Sequence, residues 1–562
     1  MPARPDDEVR SRARAWRDDD PDPATQAEVD ALLAADDLDG LHARFDTRLQ
    51  FGTAGLRGPL GSGPNRMNRA LVARATAGVA AWLADQGASG PVVLGRDARH
   101  GSAEFEAEAA SVLAGAGFAV RVLPRPLPTP VLAFAVRHLG VAAGIMITAS
   151  HNPPEDNGYK LYLDDGAQIV PPVDEEISAR IDAVGLLRDV PRSSDGVEVL
   201  GYDVLDAYLA GAAGMLRHGS AREVVGVYTA MHGVGASVVR AAFALAGFPP
   251  LHEVAAQVEP DPDFPTVAFP NPEEPGALDL ALAAAASVHA DVVIANDPDA
   301  DRLAVAVPTL AADGTAAWRP LTGDELGAVL ADHLIRRGGL EPTDVMVTTV
   351  VSSRLLHRVT EAAGIGYGEA LTGFKWVVRA VEPGQRFLLG YEEALGYCAG
   401  DLVRDKDGVS AALLAAELAA EVRADGSTIE DRLDDLHRRH GVHLTAARSR
   451  RVEGADWLAR VTGAMAALRA GPPAEVGGRA LESVEDLLVG GRLPPSDVLI
   501  WTLDGARLVV RPSGTEPKVK CYAEAVVPVP SGDDLTSARA TARTTVDAVL
   551  DGAAALLAGL GV

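Results

Sequence analysis

Six residues, Thr148-Ala149-Ser150-His151-Asn152-Pro153, set a hydroxyl beside an imidazole at the end of an apolar run over residues 141–147. A serine at the end of a buried strand, stiffened by Pro153-Pro154, is where an α/β protein presents a nucleophile. Ser-His adjacency alone describes many polar loops, so its company has to decide. Asp297-Pro298-Asp299-Ala300-Asp301-Arg302 lies between two apolar stretches, 291–295 and 303–307. Three carboxylates at alternate positions on a strand-ending loop can converge on one cation. An all-oxygen donor set suits Mg2+ better than zinc, and three Asp leave coordination positions open for a phosphate. A solvated acidic loop is the plainer alternative; the buried flanking strands and Arg302 favour the metal.

Further along, Arg511-Pro512-Ser513-Gly514-Thr515-Glu516-Pro517-Lys518 follows a predicted strand. An arginine fork, two hydroxyls, an open glycine backbone and a lysine make a phosphate-binding loop. Gly390-Tyr391-Glu392-Glu393-Ala394-Leu395-Gly396 places paired carboxylates between glycines, suited to gripping sugar hydroxyls. Thr372-Gly373-Phe374-Lys375-Trp376 and Arg404-Asp405-Lys406-Asp407-Gly408 are weaker signals taken singly. Lysine usage ties them together. Of 51 Lys and Arg residues only five are Lys (160, 375, 406, 518 and 520), and all fall inside polar motifs of this kind. A lysine that persists in an arginine-favouring chain marks a place where a compact point charge is wanted. Serine, hard-metal loop, phosphate loop, carboxylate pair and dispersed cations together fit phosphoryl transfer on a polyol.

The elements that must position these residues read as alternating strands and helices. Residues 24–33 and 38–45 carry apolar side chains at helical spacing. In Phe51-Gly52-Thr53-Ala54-Gly55-Leu56-Arg57-Gly58, three glycines around Arg57 permit close backbone approach. Strand 91–95, helix 103–114 ending at Gly115-Ala116-Gly117 and strand 119–123 form a first βαβ passage. Strand 223–229 with helix 236–245, and strand 344–350 with helix 353–362, repeat the pattern. Thr322-Gly323-Asp324-Glu325 is a capping box that opens a new helix. Beyond residue 440 the pattern changes to a hairpin, 498–503 and 507–510 about Asp504-Gly505, mixed with helices. The expected fold class is α/β: three related α/β domains with mixed sheets plus a C-terminal α+β domain around a central cleft. Expected limits are 1–203 for the domain of the Ser150 loop, 204–315 for metal binding, 316–440 for sugar binding and 441–562 for phosphate binding.

Composition excludes other classes. The 562 residues carry a net charge of −27, opposed to a nucleic-acid or anionic-membrane partner, which needs a basic face. Two distant cysteines, Cys398 and Cys521, make no disulfide framework. The N-terminus lacks the order of a signal peptide, and no apolar run is long enough to span a bilayer. A cytoplasmic protein is expected.

The four motifs, in this order, resemble those of the α-D-phosphohexomutases, in the branch containing phosphoglucomutases and phosphopentomutases. The similarity runs over about residues 51–525. Residues 148–153 are similar to that family's phosphoserine loop, 297–302 to its metal loop, 390–396 to its sugar loop and 511–518 to its phosphate loop. Residues 51–58, Met231-His232-Gly233-Val234-Gly235, Pro270-Asn271-Pro272-Glu273-Glu274 and 372–376 are branch-like. Ala394 departs from the family, many members of which have a serine two residues after the sugar-loop glutamate; the Glu-Glu-Ala form resembles the glucose/pentose type more than the mannose type. The resemblance implies that Ser150 carries a phosphoryl group and holds one Mg2+ with Asp297, Asp299 and Asp301. It implies Arg57, His151, Lys160 and Lys406 as charge-balancing or acid/base groups. Thr372, Gly373, Phe374, Lys375, Glu392, Glu393, Arg302, Arg511, Ser513, Gly514, Thr515 and Lys518 are the implied substrate contacts. It further implies a sugar bisphosphate as intermediate and activator, small sugar phosphates as partners, and a monomer or homodimer. The expected reaction is glucose 1-phosphate to glucose 6-phosphate, with phosphopentomutase, phosphomannomutase or a non-catalytic phosphosugar-binding protein as alternatives.

Overall fold

The computed structural model describes residues 6–310, 314–454, 456–513, 517–530 and 534–562. They fall into two compact units: Met1–Pro320 with Gly396–Ala424, and Leu321–Leu395 with Asp425–Val562.

The first unit begins with three helices, Asp6–Asp19, Pro23–Ala34 and Leu38–Phe45. They enclose a small core of their own around Val29, Leu41 and Phe45. Asp22 caps the second helix by accepting the Ala24 N–H, and Pro23 sits where a missing N–H costs nothing. A six-stranded mixed sheet follows, in the order Leu56–Pro59, Asp156–Leu163, Ala143–Ile147, Val92–Arg96, Val120–Val122, Val197–Val199. The central strand, Ala-Gly-Ile-Met-Ile, is buried along its whole length, as a strand covered on both faces must be. It runs parallel to Val92–Arg96 and antiparallel to Asp156–Leu163. The glycine-rich segment at 51–58 makes its close approach here. Gly55 has φ +76°, and a Cβ on it would lie 1.8 Å from the Tyr159 carbonyl oxygen, so no other residue fits.

A second sheet has the order Ala316–Pro320, Ala304–Leu310, Val292–Ala295, Gly226–Thr229, His252–Glu253. Val292–Ala295 and Ala304–Leu310 are antiparallel neighbours, and the Asp297–Asp301 loop joins them. Helix Gly408–Ala424, apolar nearly all round and buried for most of its length, also belongs to this unit.

In the second unit, helix Gly323–Arg336 starts at the expected capping box: the Thr322 hydroxyl accepts the Glu325 N–H while the Glu325 carboxylate accepts the Thr322 N–H. Strand Asp344–Thr349 lies between Gly366–Ala370 and Arg386–Glu392, parallel to both. The C-terminal sheet is antiparallel throughout, in the order Val442–Arg451, Lys518–Val527, Ala506–Pro512, Leu499–Leu503, Arg479–Asp486, with Glu475–Val476 beyond. Leu503 faces Ala506 across the two-residue Asp504-Gly505 turn, the expected hairpin. One face of this sheet packs under helices Trp457–Ala470 and Leu535–Gly559.

Candidate active site

Ser150 stands directly after the buried strand Ala143–Ile147, in a loop under strain. Its φ is +53°, a left-handed conformation that a non-glycine residue keeps only where its surroundings enforce it. The enforcing groups are visible. Ser150 N–H donates to Thr148 Oγ1 at 2.8 Å. Buried Arg99 donates through Nη2 to the carbonyls of Ser150 and Asn152, both at 2.6 Å, and through Nη1 to those of Pro153 (2.7 Å) and Asp156 (3.2 Å). Asp97, itself buried, pairs with Arg99 at 3.3 Å. Held this way, the Ser150 hydroxyl donates to Asp297 Oδ2 at 2.7 Å and lies 3.2 Å from His151 Nδ1.

Asp297, Asp299 and Asp301 have relative exposures of 0, 0 and 1%. One oxygen of each lies within 4.8 Å of the others, the spacing of ligands around a single ion. Asp297 Oδ1 accepts the Arg302 N–H at 3.0 Å. Asp299 Oδ2 accepts from the Thr129 hydroxyl (2.6 Å) and Lys160 Nζ (2.8 Å). Asp301 Oδ2 takes Lys160 Nζ at 3.0 Å and Lys406 Nζ at 3.2 Å. The other oxygens of Asp299 and Asp301 are buried without a hydrogen-bond partner. A buried carboxylate oxygen left unpaired is costly, and a hard cation satisfies it. These residues therefore fit a bound metal ion.

The electrostatics agree. Burial, then the charges of Asp299 and Asp301, pushes Asp297 well above the ordinary carboxyl range. Burial opposes ionisation of Asp301 too, but Lys160, Lys406 and Arg302 outweigh it and hold that carboxyl far below its usual value. Lys160 is raised: burial works against its charge, and the attraction of Asp299 and Asp301 wins. His151 is pushed well below its ordinary value by burial, then by Arg302 and Arg57. Its imidazole is neutral at physiological pH, edge-on to the Phe269 ring at 6.4 Å. Arg57 Nη1 donates to Asn152 Oδ1 at 3.2 Å, and Arg302 pairs with Glu273 at 3.1 Å. Lys406 is tied back through Asp405, whose other oxygen accepts from Tyr162 (2.8 Å) and Gln168 (2.9 Å).

The first unit thus brings together Ser150, His151, Lys160, Arg57, Lys406, Arg302 and the three aspartates. A second cluster forms within the other unit. Glu392 ends strand Arg386–Glu392, and its Oε1 accepts the Gly373 N–H at 2.7 Å. Arg511 Nη1 donates to the Thr372 hydroxyl at 2.6 Å. Ser513 N–H donates to the Lys518 carbonyl at 2.9 Å, closing the loop between two strands. Lys375 lies on the short helix Phe374–Val377, whereas Phe374, at its start, is buried at 3% exposure. Glu393 N–H donates to Ser352 Oγ at 3.2 Å. Gly514 and Thr515 lie outside the described residues.

Sequence reasoning missed Arg99, Thr129 and Ser352, and it gave no role to Asp405 within the Arg404–Gly408 motif. Of the three missed, only Arg99 left a trace, as the arginine of an Asp-x-Arg turn after a strand.

The chain matches four parts of one family: "Phosphoglucomutase/phosphomannomutase, alpha/beta/alpha domain I" over residues 48–187, domain II over 207–310, domain III over 322–439 and the C-terminal domain over 450–539. It belongs to the phosphoglucomutase/phosphomannomutase family. A Haemophilus influenzae relative of this mutase, named "Probable phosphomannomutase", is 44% identical over 82% of the chain and 93% of its own length. A Staphylococcus aureus phosphoglucomutase is 33% identical over 87% of the chain and 92% of its own. The crystal structure of a phosphoglucomutase/phosphomannomutase family protein from Burkholderia thailandensis shares the fold, with a TM-score of 0.68 at 22% identity over 91% of this chain and 97% of that one. The mutase is an isomerase that transfers phosphate on a sugar, as its family and homologues are, and the non-catalytic alternative falls away. Among the described residues no helix is long and apolar enough to cross a membrane.

Proposed function

We propose that this mutase moves a phosphoryl group between C1 and C6 of a hexose, with glucose 1-phosphate and glucose 6-phosphate as the preferred pair and Ser150 as the carrier. The observation that carries the reading is the strained, buried Ser150, whose Oγ lies 2.7 Å from Asp297 beside carboxylates that keep two unpartnered oxygens. In the first half-reaction the free hydroxyl oxygen of the sugar monophosphate bonds to phosphorus, the bond from phosphorus to Ser150 Oγ breaks, the sugar hydroxyl loses its proton to a base, and Ser150 Oγ takes up a proton from an acid. The product is a sugar bisphosphate. After it turns over, Ser150 Oγ gives up its proton and bonds to the other phosphorus, the bond from that phosphorus to the sugar oxygen breaks, and the sugar oxygen takes up a proton as the isomerised monophosphate leaves. Neutral His151, 3.2 Å from Oγ, and Lys406 are the candidates for the proton transfers. Lys160 and Arg57 balance charge around the group in transit. Ser150, Asp297, Asp299 and Asp301 would hold one Mg2+ per chain, which when bound neutralises charge on the transferring phosphoryl.

Recognition falls to the second cluster. Thr372, Gly373, Phe374, Lys375, Glu392 and Glu393 form the sugar-binding set. Arg511, Ser513, Gly514, Thr515 and Lys518 hold the phosphate that is not reacting, and Arg302 of the first cluster is a separate substrate contact. The proposed division of labour is 1–203, 204–315, 316–440 and 441–562. The enzyme works on small sugar phosphates in the cytoplasm, as a monomer or homodimer. A second reading, mannose phosphates, is favoured by the 44% identical relative that carries the phosphomannomutase name.

Two measurements test this. Initial rates on glucose 1-phosphate, mannose 1-phosphate and ribose 1-phosphate, with Mg2+ and the matching bisphosphate, rank the sugars; a preference for mannose or ribose overturns the glucose assignment. Ser150→Ala is expected to abolish interconversion while leaving sugar phosphate affinity within about threefold, because the hydroxyl carries the group without holding the sugar. Turnover near the wild-type rate, or no phosphate on the Ser150 peptide by mass spectrometry after incubation with bisphosphate, sinks the phosphoserine mechanism.

A further inference from the structure

The second unit contains a buried polar network that no site residue accounts for. Its centre is Glu524, 2% exposed, on strand Lys518–Val527. Glu524 accepts from the Ser353 hydroxyl (2.8 Å), the Arg354 N–H (2.8 Å) and Arg354 Nε (3.2 Å), with His443 Nδ1 at 3.0 Å and Arg507 Nη2 at 3.5 Å. Arg507, 4% exposed, lies four residues before Arg511 on the strand that leads into the phosphate loop, and so on the same face. Its Nη2 also donates to the carbonyl of Ser352. Ser352 in turn is 1% exposed; its hydroxyl accepts the Glu393 N–H at 3.2 Å and lies 2.9 Å from Thr349 Oγ1. From the other side Gly323 presses on the same backbone: a Cβ there would lie 2.1 Å from the Glu393 carbonyl oxygen. Asp324, next in sequence, accepts the Ser353 N–H (2.9 Å) and the Thr445 hydroxyl (2.7 Å).

These contacts form a continuous chain from the strand bearing Arg511 to the backbone of the Glu392-Glu393 pair. A buried arginine with a carbonyl and a carboxylate on its fork has little freedom, and a buried hydroxyl with two partners has one rotamer. From this we infer that Ser352 and Arg507 are positioning residues that fix the sugar-binding carboxylates relative to the phosphate loop, so that this unit gauges the distance between a ligand's phosphate and its hydroxyls. The inference rests on the proposed role of Glu392 and Glu393. Neither Ser352 nor Arg507 touches the substrate; they set where the groups that do touch it stand.

The expected consequence is a change in KM and in sugar discrimination without a matching change in kcat. Ser352→Ala removes the acceptor of the Glu393 N–H. It is expected to raise KM for the preferred sugar 1-phosphate about tenfold, the worth of one such bond, with kcat within about threefold, and to narrow the ratio of kcat/KM between glucose and mannose 1-phosphates. Ser352→Thr keeps the hydroxyl and is expected to restore both. Arg507→Lys guards against loss of fold in harsher variants and is expected to fall between them, with a thermal midpoint near wild type. If KM and the sugar ratio stay unchanged in Ser352→Ala while the wild-type chain isomerises its sugars, the positioning role is wrong and the mutase reading stands. If kcat and KM move together, or Ser352→Thr rescues nothing, Ser352 is a packing residue and the inference fails. If Glu392→Gln and Glu393→Gln leave KM unchanged in the wild-type background, the underlying sugar-loop assignment fails instead.

Discussion

At the scale of single residues, the site depends on Arg99 as much as on Ser150. Four backbone carbonyls of the Ser150 loop have Arg99 as a donor, and Asp97 is buried beside it. The Phe264 ring covers the guanidinium at 4.9 Å, which keeps water from replacing it. Arg99→Met would leave those carbonyls without their donor and a buried carboxylate without its counter-charge. Removing one partner of a buried pair costs roughly 3–5 kcal/mol, and the left-handed φ of Ser150 would lose its main restraint. The expected outcome is a loss of that order in urea unfolding, with a fall in kcat that Arg99→Lys only partly recovers, since an ammonium cannot fork to four carbonyls. A loss below about 1 kcal/mol would mean that the loop holds its shape unaided. Thr129 belongs in the same class: through its N–H and its hydroxyl it fixes Asp299 from 170 residues away.

At the scale of elements, what could be read from sequence was local. The buried strand before Ser150, the Thr322 capping box, the Asp504-Gly505 hairpin and the three-aspartate loop each declare themselves within ten residues, because strand burial, helix capping and tight turns are short-range physics. Ser352 does not, and Arg99 shows only its local pairing with Asp97, because the loop backbone groups these two side chains hold are brought in by tertiary packing and carry no residue-type signal. The Gly396–Ala424 stretch is another such case: it delivers Lys406 to Asp301 within the first unit, although its sequence neighbours on both sides belong to the second. One pair of packed elements also makes a pH prediction. Glu106 on helix Ser102–Gly115 meets Arg96 at the end of strand Val92–Arg96, at 3.1 Å. Burial nevertheless pushes the Glu106 carboxyl up to about 7 from 4.5, with Arg96 only partly compensating. A carboxyl whose folded value is raised binds its proton more tightly when folded. Its stabilising contribution is therefore full below pH 4.5 and is lost as pH rises through about 7. The difference in unfolding free energy between wild type and Glu106→Gln should fall by roughly 3 kcal/mol between those limits. A pH-independent difference would show that Glu106 is solvated.

At the scale of the whole molecule, a chain of net charge −27 must admit an anionic substrate. Two fields compete. Arg57, Lys160, Arg302 and Lys406 stand around the aspartate loop and act over a few ångströms, whereas the excess of acidic residues acts on the substrate from further out. Which dominates the approach depends on screening, since the Debye length shortens from about 30 Å at 0.01 M salt to about 8 Å at 0.15 M. At low salt an approaching sugar phosphate feels the summed negative charge before it feels the cations. At higher salt the distant charges are screened while the cations close to the site still act on it. Raising sodium chloride over that range at fixed Mg2+ is therefore expected to increase kcat/KM several-fold through the association step, with kcat nearly constant. Substrate entry into a net-positive protein would show the reverse slope. A fall in kcat/KM with added salt here would mean that the cations steer the substrate from beyond the reach assigned to them, and that the acidic surface plays no part in its approach.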